Sequence, residues 1–346
     1  MAEASERPVP GPRPLPPAPA RLVEAGSPVA GAWAGPIRDT SFSALSAEYP
    51  RGFLEKRFVE KRWQALFVAS REMMLSFAIV DAGYLSSGIL SVFDRGARRL
   101  LIDSHPVLPP LLAWISDEPN DGMRALLTGP RLSARIERSG GRVLATARWG
   151  IAAVDLYLDA RRAPPPLSAV SHFGAGRFNF TQKLVGIPAE GEIAVGNTRF
   201  TLRGELAGLD FTHGHPPRDT AWRWAFASAR QEDRLIAFNL SEGFMRSAGG
   251  ENALWVDGAP CSVGPVRFAF EPSAPLAPWR VESADGSLEL VFQPEGYRAQ
   301  NIDLKLVASR YVQPFGVFSG HVTTAAGERL TLDSLAGVTE DHSARW

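Results

Sequence analysis

The sequence has a single cysteine, Cys261, among its 346 residues. One thiol can form neither an intramolecular disulfide nor a zinc site built from cysteines, which is typical of proteins in a reducing compartment. The first residues lack the apolar core of a signal peptide, and no run of about 18 apolar residues could cross a membrane as a helix. We therefore expect a cytoplasmic protein without an integral membrane segment.

An excess of charge is also missing, because 37 Lys and Arg residues balance 37 Asp and Glu residues. A nucleic-acid-binding protein normally carries a basic excess, so we do not expect a nucleic-acid partner. The sequence contains no phosphate-binding Walker loop, no Gly-x-Ser-x-Gly elbow and no His-Glu-x-x-His zinc motif. Residues 174–179 begin like a dinucleotide fingerprint but lack its third glycine and precede a predicted strand. We predict no cofactor.

The chain has the means to build a large core, since 45% of its residues are hydrophobic and its length corresponds to about two domains. Apolar runs of strand length recur between Gly, Pro, Asp and Ser residues, and no long stretch shows helical periodicity. At Val266, Phe268 and Phe270 every second side chain is apolar, as in a strand with one buried face. The sequence predicts an all-β fold of two antiparallel β-barrels or sandwiches.

The predicted boundary between these units is the proline run at 164–166, because proline cannot donate to a sheet ladder. It divides the chain into an N-terminal β domain, 38–163, and a C-terminal β domain, 164–346, which carries the candidate pocket. Residues 1–37 are rich in Pro, Ala and Gly and have little apolar area to offset the entropy of ordering. We expect them to form a disordered or loosely draped arm.

The segment 206–224 concentrates side chains that could take part in chemistry. Its pair His213 and His215, with Asp210 and Asp219, could form a metal cluster. However, the glycine between the histidines and the two prolines after them predict a loop rather than a strand. A polar turn is therefore the preferred interpretation, and we predict no metal site.

Asp210 follows an apolar approach and has two interpretations. It could be a turn residue that accepts local backbone hydrogen bonds, or a buried acid whose raised pKa lets it donate a proton near neutral pH. Trp222 and Trp224 lie on one face of a predicted strand. They could be ordinary core residues, or their π faces could hold an apolar ligand or stabilise a carbocation.

Polar residues elsewhere could face the same pocket. Lys183 lies on a predicted strand with Asn179 and Gln182, and it could pair with a carboxylate or simply be exposed. Glu251 and Asn252 stand at the entry of another strand, where they could face the pocket or satisfy loop backbone. The candidate ligand-binding residues are Trp222, Trp224, Phe211, His213, Asn179, Gln182, Lys183, Glu251, Asn252 and Trp255.

Several of these motifs together resemble the bacterial family catalogued as domain of unknown function 2804. The resemblance covers nearly the whole chain beyond the N-terminal arm, and it implies no established activity. It is carried by the segments 63–93, 179–183, 188–191, 210–214, 222–224, 239–240 and 251–258.

A more distant similarity is to the carotenoid hydratase and lipocalin-like cyclase proteins, which have two lipocalin-like β domains. It rests on an Asp-centred segment followed by a Trp-x-Trp strand, here Asp210, Trp222 and Trp224. This resemblance implies two lipocalin-like domains, with Asp210 as the acid that protonates an alkene and the tryptophans as stabilisers of the resulting cation.

Three functions are compatible with these observations. The first is a lipocalin-like protein that binds a hydrophobic small molecule such as a lipid, an isoprenoid or a polyketide. The second is a hydratase, isomerase or cyclase that uses Asp210 as a general acid. The third is a scaffold without a ligand, which a large exposed apolar patch and no cavity would favour. The oligomeric state is left open.

Overall fold

The computed structural model describes residues 11–50, 52–174, 176–245, 250–303, 305 and 307–346. Within them, almost all regular structure is antiparallel β, arranged as two curled half-barrel sheets, which confirms the predicted fold class. A short helix, α1 (Phe53–Val59), and a 3₁₀ turn, Ala160–Arg162, are the exceptions among these residues.

The strands up to the end of the first sheet are β1 (Arg13–Pro14), β2 (Val23–Glu24), β3 (Ser27–Pro28), β4 (Gly31–Ala34), β5 (Lys61–Ala69), β6 (Met73–Asp81), β7 (Ser86–Asp94), β8 (Arg99–Ser104), β9 (Val107–Leu108), β10 (Ala113–Ile115), β11 (Arg124–Gly129), β12 (Leu132–Ser139), β13 (Arg142–Trp149), β14 (Ala152–Asp159), β15 (Leu167–Gly174), β16 (Arg177–Val195) and β17 (Thr198–His215). The later strands are β18 (Asp219–Gln231), β19 (Arg234–Glu242), β20 (Ala253–Val256), β21 (Cys261–Ser262), β22 (Val266–Ala269), β23 (Trp279–Ser283), β24 (Leu288–Asp303), β25 (Ala308–Thr323) and β26 (Arg329–Arg345).

The first sheet has 14 strands, β4 to β17, and curls around its own core. Its longest strands, β16 and β17, form a hairpin whose register shifts between Leu184 and Ile187. The first part of β16 pairs with β15 and its last part with β14, so the hairpin belongs to both halves of the sheet. Apolar side chains such as Phe77, Phe178 and Phe180 fill the interior. This core leaves the opposite face of the hairpin for other contacts.

The second sheet has ten strands, in the order β1-β21-β20-β19-β18-β26-β25-β24-β23-β22. It wraps around a second core that includes Phe238, Trp279 and Phe318. Val266 and Phe268 belong to this core, so the alternation seen in the sequence marks a strand with one buried face. Both half-barrels are therefore filled by their own side chains.

The change from one sheet to the other occurs between β17 and β18, at Pro216 and Pro217. The boundary expected at 163/164 lies inside the first sheet, because β15, β16 and β17 all pair within it. The proline run 164–166 ends a 3₁₀ turn and leads directly into β15. It interrupts the ladder, as proline must, but the chain then returns to the same sheet.

The segment 1–37 was expected to form a disordered or loosely draped arm, and from Arg13 onward it contributes short strands to the fold. Strand β1 pairs with β21 of the second sheet, and β4 pairs with β15 of the first. Leu22 and Ile37 are fully buried in the first core, which supplies the apolar area that the composition did not indicate. Residues 1–10 of the expected arm lie outside the described residues.

The two sheets pack through their outer faces. A separate apolar cluster lies between them and includes Phe93 from the first sheet and Trp224, Phe226 and Phe315 from the second. At Gly208 of β17 the approach is so close that an added Cβ atom would lie 2.1 Å from Cζ of Phe226. No helix among the described residues is long and apolar enough to cross a membrane.

Candidate active site between the two sheets

A cavity of about 200 Å³ lies between the outer faces of the two sheets. On the first sheet, its wall follows the register of neighbouring strands, because Lys183 is paired with Asp210 and Asp210 with Ala65. Thr181 and Asn179 precede Lys183 at every second position of β16 and also face the cavity. The alternation of a strand therefore separates a polar outer row from the apolar core.

The wall from the second sheet combines aromatic and polar side chains. Trp224 is paired with Glu340 of β26, and Trp222 with His342. On β25, Tyr311 is paired with His342, so an aromatic and imidazole row crosses three strands. All of these side chains line the cavity. A ligand between the sheets would therefore contact carboxylates on both walls, and tryptophans on both as well, because Trp63 of β5 also lines the cavity.

The polar centre of the cavity is a buried cluster of one amine and two carboxylates. The Lys183 Nζ atom lies 2.6 Å from Oδ2 of Asp210 and 3.3 Å from Oε2 of Glu251. The exposed fractions of the three side chains are 5%, 14% and 7%, respectively. This geometry explains the pKa directions of the cluster.

Burial raises the pKa of Asp210, and Glu251 adds to this shift, while the Lys183 ammonium opposes it without reversing it. Burial alone would lower the pKa of Lys183, but the two carboxylates together turn the net shift upward. The cluster can therefore hold a proton at a pH where an exposed aspartate would have lost it.

The two tryptophans are fixed by hydrogen bonds from their indole nitrogens. Trp222 donates to Oε1 of Glu340 over 2.8 Å, and Trp224 donates to Oδ1 of Asn239 over 2.8 Å. The Lys183 ammonium lies 5.9 Å from the ring centre of Trp224, within the range of a cation–π contact. One ring face therefore already stabilises a positive charge at this position.

The structure brings six of the predicted site residues together at the cavity and places five elsewhere. Asp210 and the ligand-binding candidates Trp222, Trp224, Asn179, Lys183 and Glu251 line it. Gln182, Phe211 and His213 do not line it, because strand alternation turns these side chains away from the cavity face that carries Asp210 and Lys183. Phe211 is part of the first core.

Two further candidates do not line the cavity. The Asn252 side chain accepts a hydrogen bond from the Ser241 backbone over 2.6 Å, so it satisfies backbone. Trp255 packs in the cluster between the sheets and donates to the Pro165 carbonyl over 3.0 Å. Both residues lie close to cavity residues in sequence but have structural roles.

The histidine pair lies on the last residues of β17, so the loop expected there is in fact strand. His213 Nε2 lies 2.5 Å from Oε1 of Glu60, and the ligand atoms of Glu60, Asp117 and His213 lie within 4.8 Å of one another. These three residues could hold a cation by distance. However, the Arg62 guanidinium already binds both carboxylates, with Asp117 at 2.7 Å. The arrangement is an ion-pair network closed by the protein itself.

Several cavity residues have no counterpart among the predicted sites. Arg298, Tyr311, Gln313, Glu340 and His342 all come from the last three strands. Gln313 donates to Oε2 of Glu340 over 3.0 Å and accepts from Ser76 of the first sheet over 3.0 Å. The sequence signal for them was a polar residue sharing one strand face with aromatic neighbours, as at 311, 313 and 315.

Residues 17–346 match the family described as domain of unknown function DUF2804. The chain belongs to this family. The resemblance drawn from the sequence motifs is thus confirmed, and the match begins close to the first strand. No curated protein matches the sequence.

Solved structures with the same architecture have very different sequences. CghA is 11% identical over 94% of this chain and 97% of its own, with a TM-score of 0.53. A putative AttH from Nitrosomonas europaea is 12% identical over 83% and 92%, with a TM-score of 0.44. Kievitone hydratase from Nectria haematococca is 10% identical over 98% and 98%, with a TM-score of 0.43. These similarities concern the fold alone.

Proposed function

We propose that this protein binds a largely apolar small molecule between its two sheets and catalyses a proton-transfer reaction on it. The observation that carries the proposal is the buried Lys183–Asp210–Glu251 cluster in a cavity whose other wall contains Trp222 and Trp224. A general acid needs a pKa near the working pH, and burial raises the pKa of Asp210 in that direction.

The first step breaks the O–H bond of the Asp210 carboxyl group and forms a C–H bond on an alkene carbon of the ligand. The positive charge then rests on the neighbouring carbon, where the π faces of Trp222 and Trp224 stabilise it. Lys183 stabilises the carboxylate that Asp210 leaves behind, over the 2.6 Å contact.

The second step decides the reaction class. If water adds to the cation and gives a proton to Glu251, the reaction is a hydration. If a hydroxyl of the same ligand adds and gives its proton to Glu251, the reaction is a cyclisation. If a C–H bond next to the cation gives its proton to Glu251 and a new double bond forms, the reaction is an isomerisation. In each case Lys183 bridges Glu251 and Asp210 and can return the proton to Asp210. No redox change occurs in any of these routes.

The test begins with the molecule that the native protein retains, identified by mass spectrometry after purification. This molecule is then incubated with the protein in D₂O. Protonation of a carbon from an acid that exchanges with solvent adds one deuterium, so labelling reports the chemical step whatever product forms.

We expect wild-type protein to label the molecule and Asp210→Asn to label it about 10² to 10⁴ times more slowly, with unchanged binding. Asp219→Asn is the matched control, since Asp219 is a surface residue paired with Arg345, and it should label like wild type. Labelling by Asp210→Asn at the wild-type rate would refute the role of Asp210.

Binding without chemistry is the second candidate, because the cavity between the sheets is apolar over most of its wall. A retained apolar molecule that never gains deuterium would support it. Recovery of a ligand-free protein that captures no apolar molecule would favour the scaffold instead.

A further inference from the structure

Arg298 is a buried cation at the far side of the cavity from the Lys183 cluster along the second sheet. It lies on β24 and is paired with Gln313 of β25, whose side chain donates to Glu340 of β26. Glu340 is in turn paired with Trp224 of β18. Three strand spacings therefore separate Trp224 from Arg298, which corresponds to roughly 14 Å along the sheet.

The Arg298 guanidinium is held in place without using all its donors. Its Nε atom lies 3.1 Å from Oδ1 of Asp103, and its Cζ atom lies 4.8 Å from the ring centre of Tyr311. The residue is 2% exposed and lines the cavity, yet neither its Nε atom, despite the ion pair with Asp103, nor its Nη1 atom makes a hydrogen bond among the described residues. Buried charged donors without an acceptor are costly, so a ligand oxygen that accepts from Nη1 would be favourable.

Two other cavity-lining groups also lack partners within the described part of the chain, the Tyr84 hydroxyl and Nδ1 of His105. Burial, with the nearby Arg298 and His342, lowers the pKa of His105 to about 3, so its imidazole is neutral. The cavity thus contains several polar atoms that no side chain satisfies. They are suited to uncharged oxygen atoms of a ligand.

The charge around Arg298 distinguishes a carbonyl from an anion. Asp103 already balances the guanidinium, and Glu340 is a further acid that lines the cavity. A carboxylate or phosphate would add a further negative charge beside these two acids. A carbonyl oxygen accepts the same hydrogen bond without adding a charge.

We propose that Arg298 binds a carbonyl oxygen of the ligand. The ligand is then an apolar molecule whose carbonyl group lies at the opposite end of the cavity from the atoms that contact Asp210. This inference rests on the proposed function only in taking the cavity as the ligand site. It does not require that Asp210 transfer a proton.

The experiment uses three probes that share an aromatic alkene: trans-chalcone, which has a carbonyl; trans-stilbene, which lacks it; and trans-stilbene-4-carboxylate, which is an anion. Equilibrium dialysis with the full-length protein gives the three dissociation constants. We expect chalcone to bind at least about 10-fold more tightly than stilbene, as one hydrogen bond from a charged donor provides. The chalcone absorption band should shift to longer wavelength when the guanidinium polarises its carbonyl.

Arg298→Met should abolish both the preference and the spectral shift while stilbene binding stays within about twofold, and Arg298→Lys should restore part of the preference. Arg329→Met, a change at an exposed arginine, is the matched control and should behave like wild type. Asp210→Asn should keep the chalcone preference, which separates this inference from the proposed proton transfer.

Three results would overturn the inference. The first is a wild-type protein that does not bind chalcone more tightly than stilbene. The second is a preference that persists unchanged in Arg298→Met. The third is a carboxylate probe that binds most tightly of all, since this would identify an anion site.

Discussion

Replacing Lys183 with methionine tests the central electrostatic argument of the site. The substitution keeps the length and much of the volume of the side chain but removes the ammonium that contacts two buried carboxylates at 2.6 and 3.3 Å. Removing one partner of a buried ion pair typically costs about 3–5 kcal/mol, because the remaining charge is left without compensation. Here two carboxylates remain, so we expect a loss in that range at pH 8.

The free energy of unfolding of this variant should change with pH in a defined direction. In the variant, burial and the nearby Glu251 raise the pKa of Asp210 with no ammonium to oppose them. A carboxyl group whose pKa is raised on folding contributes stability below its unfolded pKa, near 4, and loses it as the pH rises through the folded value. The folded variant therefore binds more protons than the unfolded chain above about pH 4, and its free energy of unfolding falls as pH rises.

Urea denaturation at pH 5.5 and pH 8 measures this effect. We expect the loss caused by Lys183→Met to be smaller at pH 5.5 by about 1–3 kcal/mol, at about 1.4 kcal/mol per pH unit per proton. Adding Asp210→Asn and Glu251→Gln to the variant should remove the pH dependence. Lys305→Met, at an exposed lysine, should stay within about 0.5 kcal/mol of wild type. A loss below about 1 kcal/mol at pH 8, or one equal at both pH values, would refute the buried-cluster argument.

Three further predictions concern the packing around the site. Gly208→Ala should cost about 1–3 kcal/mol in urea denaturation, because its Cβ atom would lie 2.1 Å from the Phe226 ring, and Phe226→Leu should restore part of the loss; unchanged stability would contradict this close approach. Glu295→Gln should cost about 1–2 kcal/mol, because it weakens a bidentate ion pair with Arg95 between the sheets, in which two guanidinium nitrogens each lie 2.7 Å from a carboxylate oxygen. A urea midpoint that is unchanged and insensitive to salt would show that the pair contributes nothing to stability. His215→Leu should reduce by about 2 kcal/mol the stability that the protein loses between pH 7 and pH 5. Burial lowers the pKa of His215 to about 4, so the free energy of unfolding of the wild type falls as the pH drops below the unfolded pKa of histidine, near 6.5. A pH profile identical to that of the wild type would exclude this contribution.

Most of the fold could be predicted from the sequence, because strand alternation and turn residues are local signals. The alternation at Val266, Phe268 and Phe270 predicted a strand with one buried face, and β22 covers the first two of these residues. The sheet boundary could not be predicted in the same way, since the proline run 164–166 and the pair Pro216 and Pro217 are equivalent locally. Only the long-range pairing of β16 with both β14 and β15 decides between them.

The site was harder to predict, and the reason is geometric. Polar residues that alternate with core residues along a strand are normally exposed to solvent. The site contains three residues at such positions, Lys183, Arg298 and Glu340. These side chains are buried because the outer faces of the two sheets pack against each other. By contrast, Phe211 and His213 are neighbours of Asp210 in sequence and were expected beside it, yet alternation turns them to the opposite face.

The site depends on how the two sheets pack, because neither sheet holds all its parts. Asp210 and Lys183 come from the first sheet, whereas Glu251 and the tryptophans belong to the part of the chain that forms the second. The distance between the proton donor and the aromatic wall is therefore set by the contacts between the sheets. A substitution such as Gly208→Ala, which would push the sheets apart without touching the cluster, should then lower turnover more than Lys305→Met at equal fraction folded. If turnover followed the folded fraction alone, the spacing of the sheets would have no part in the chemistry.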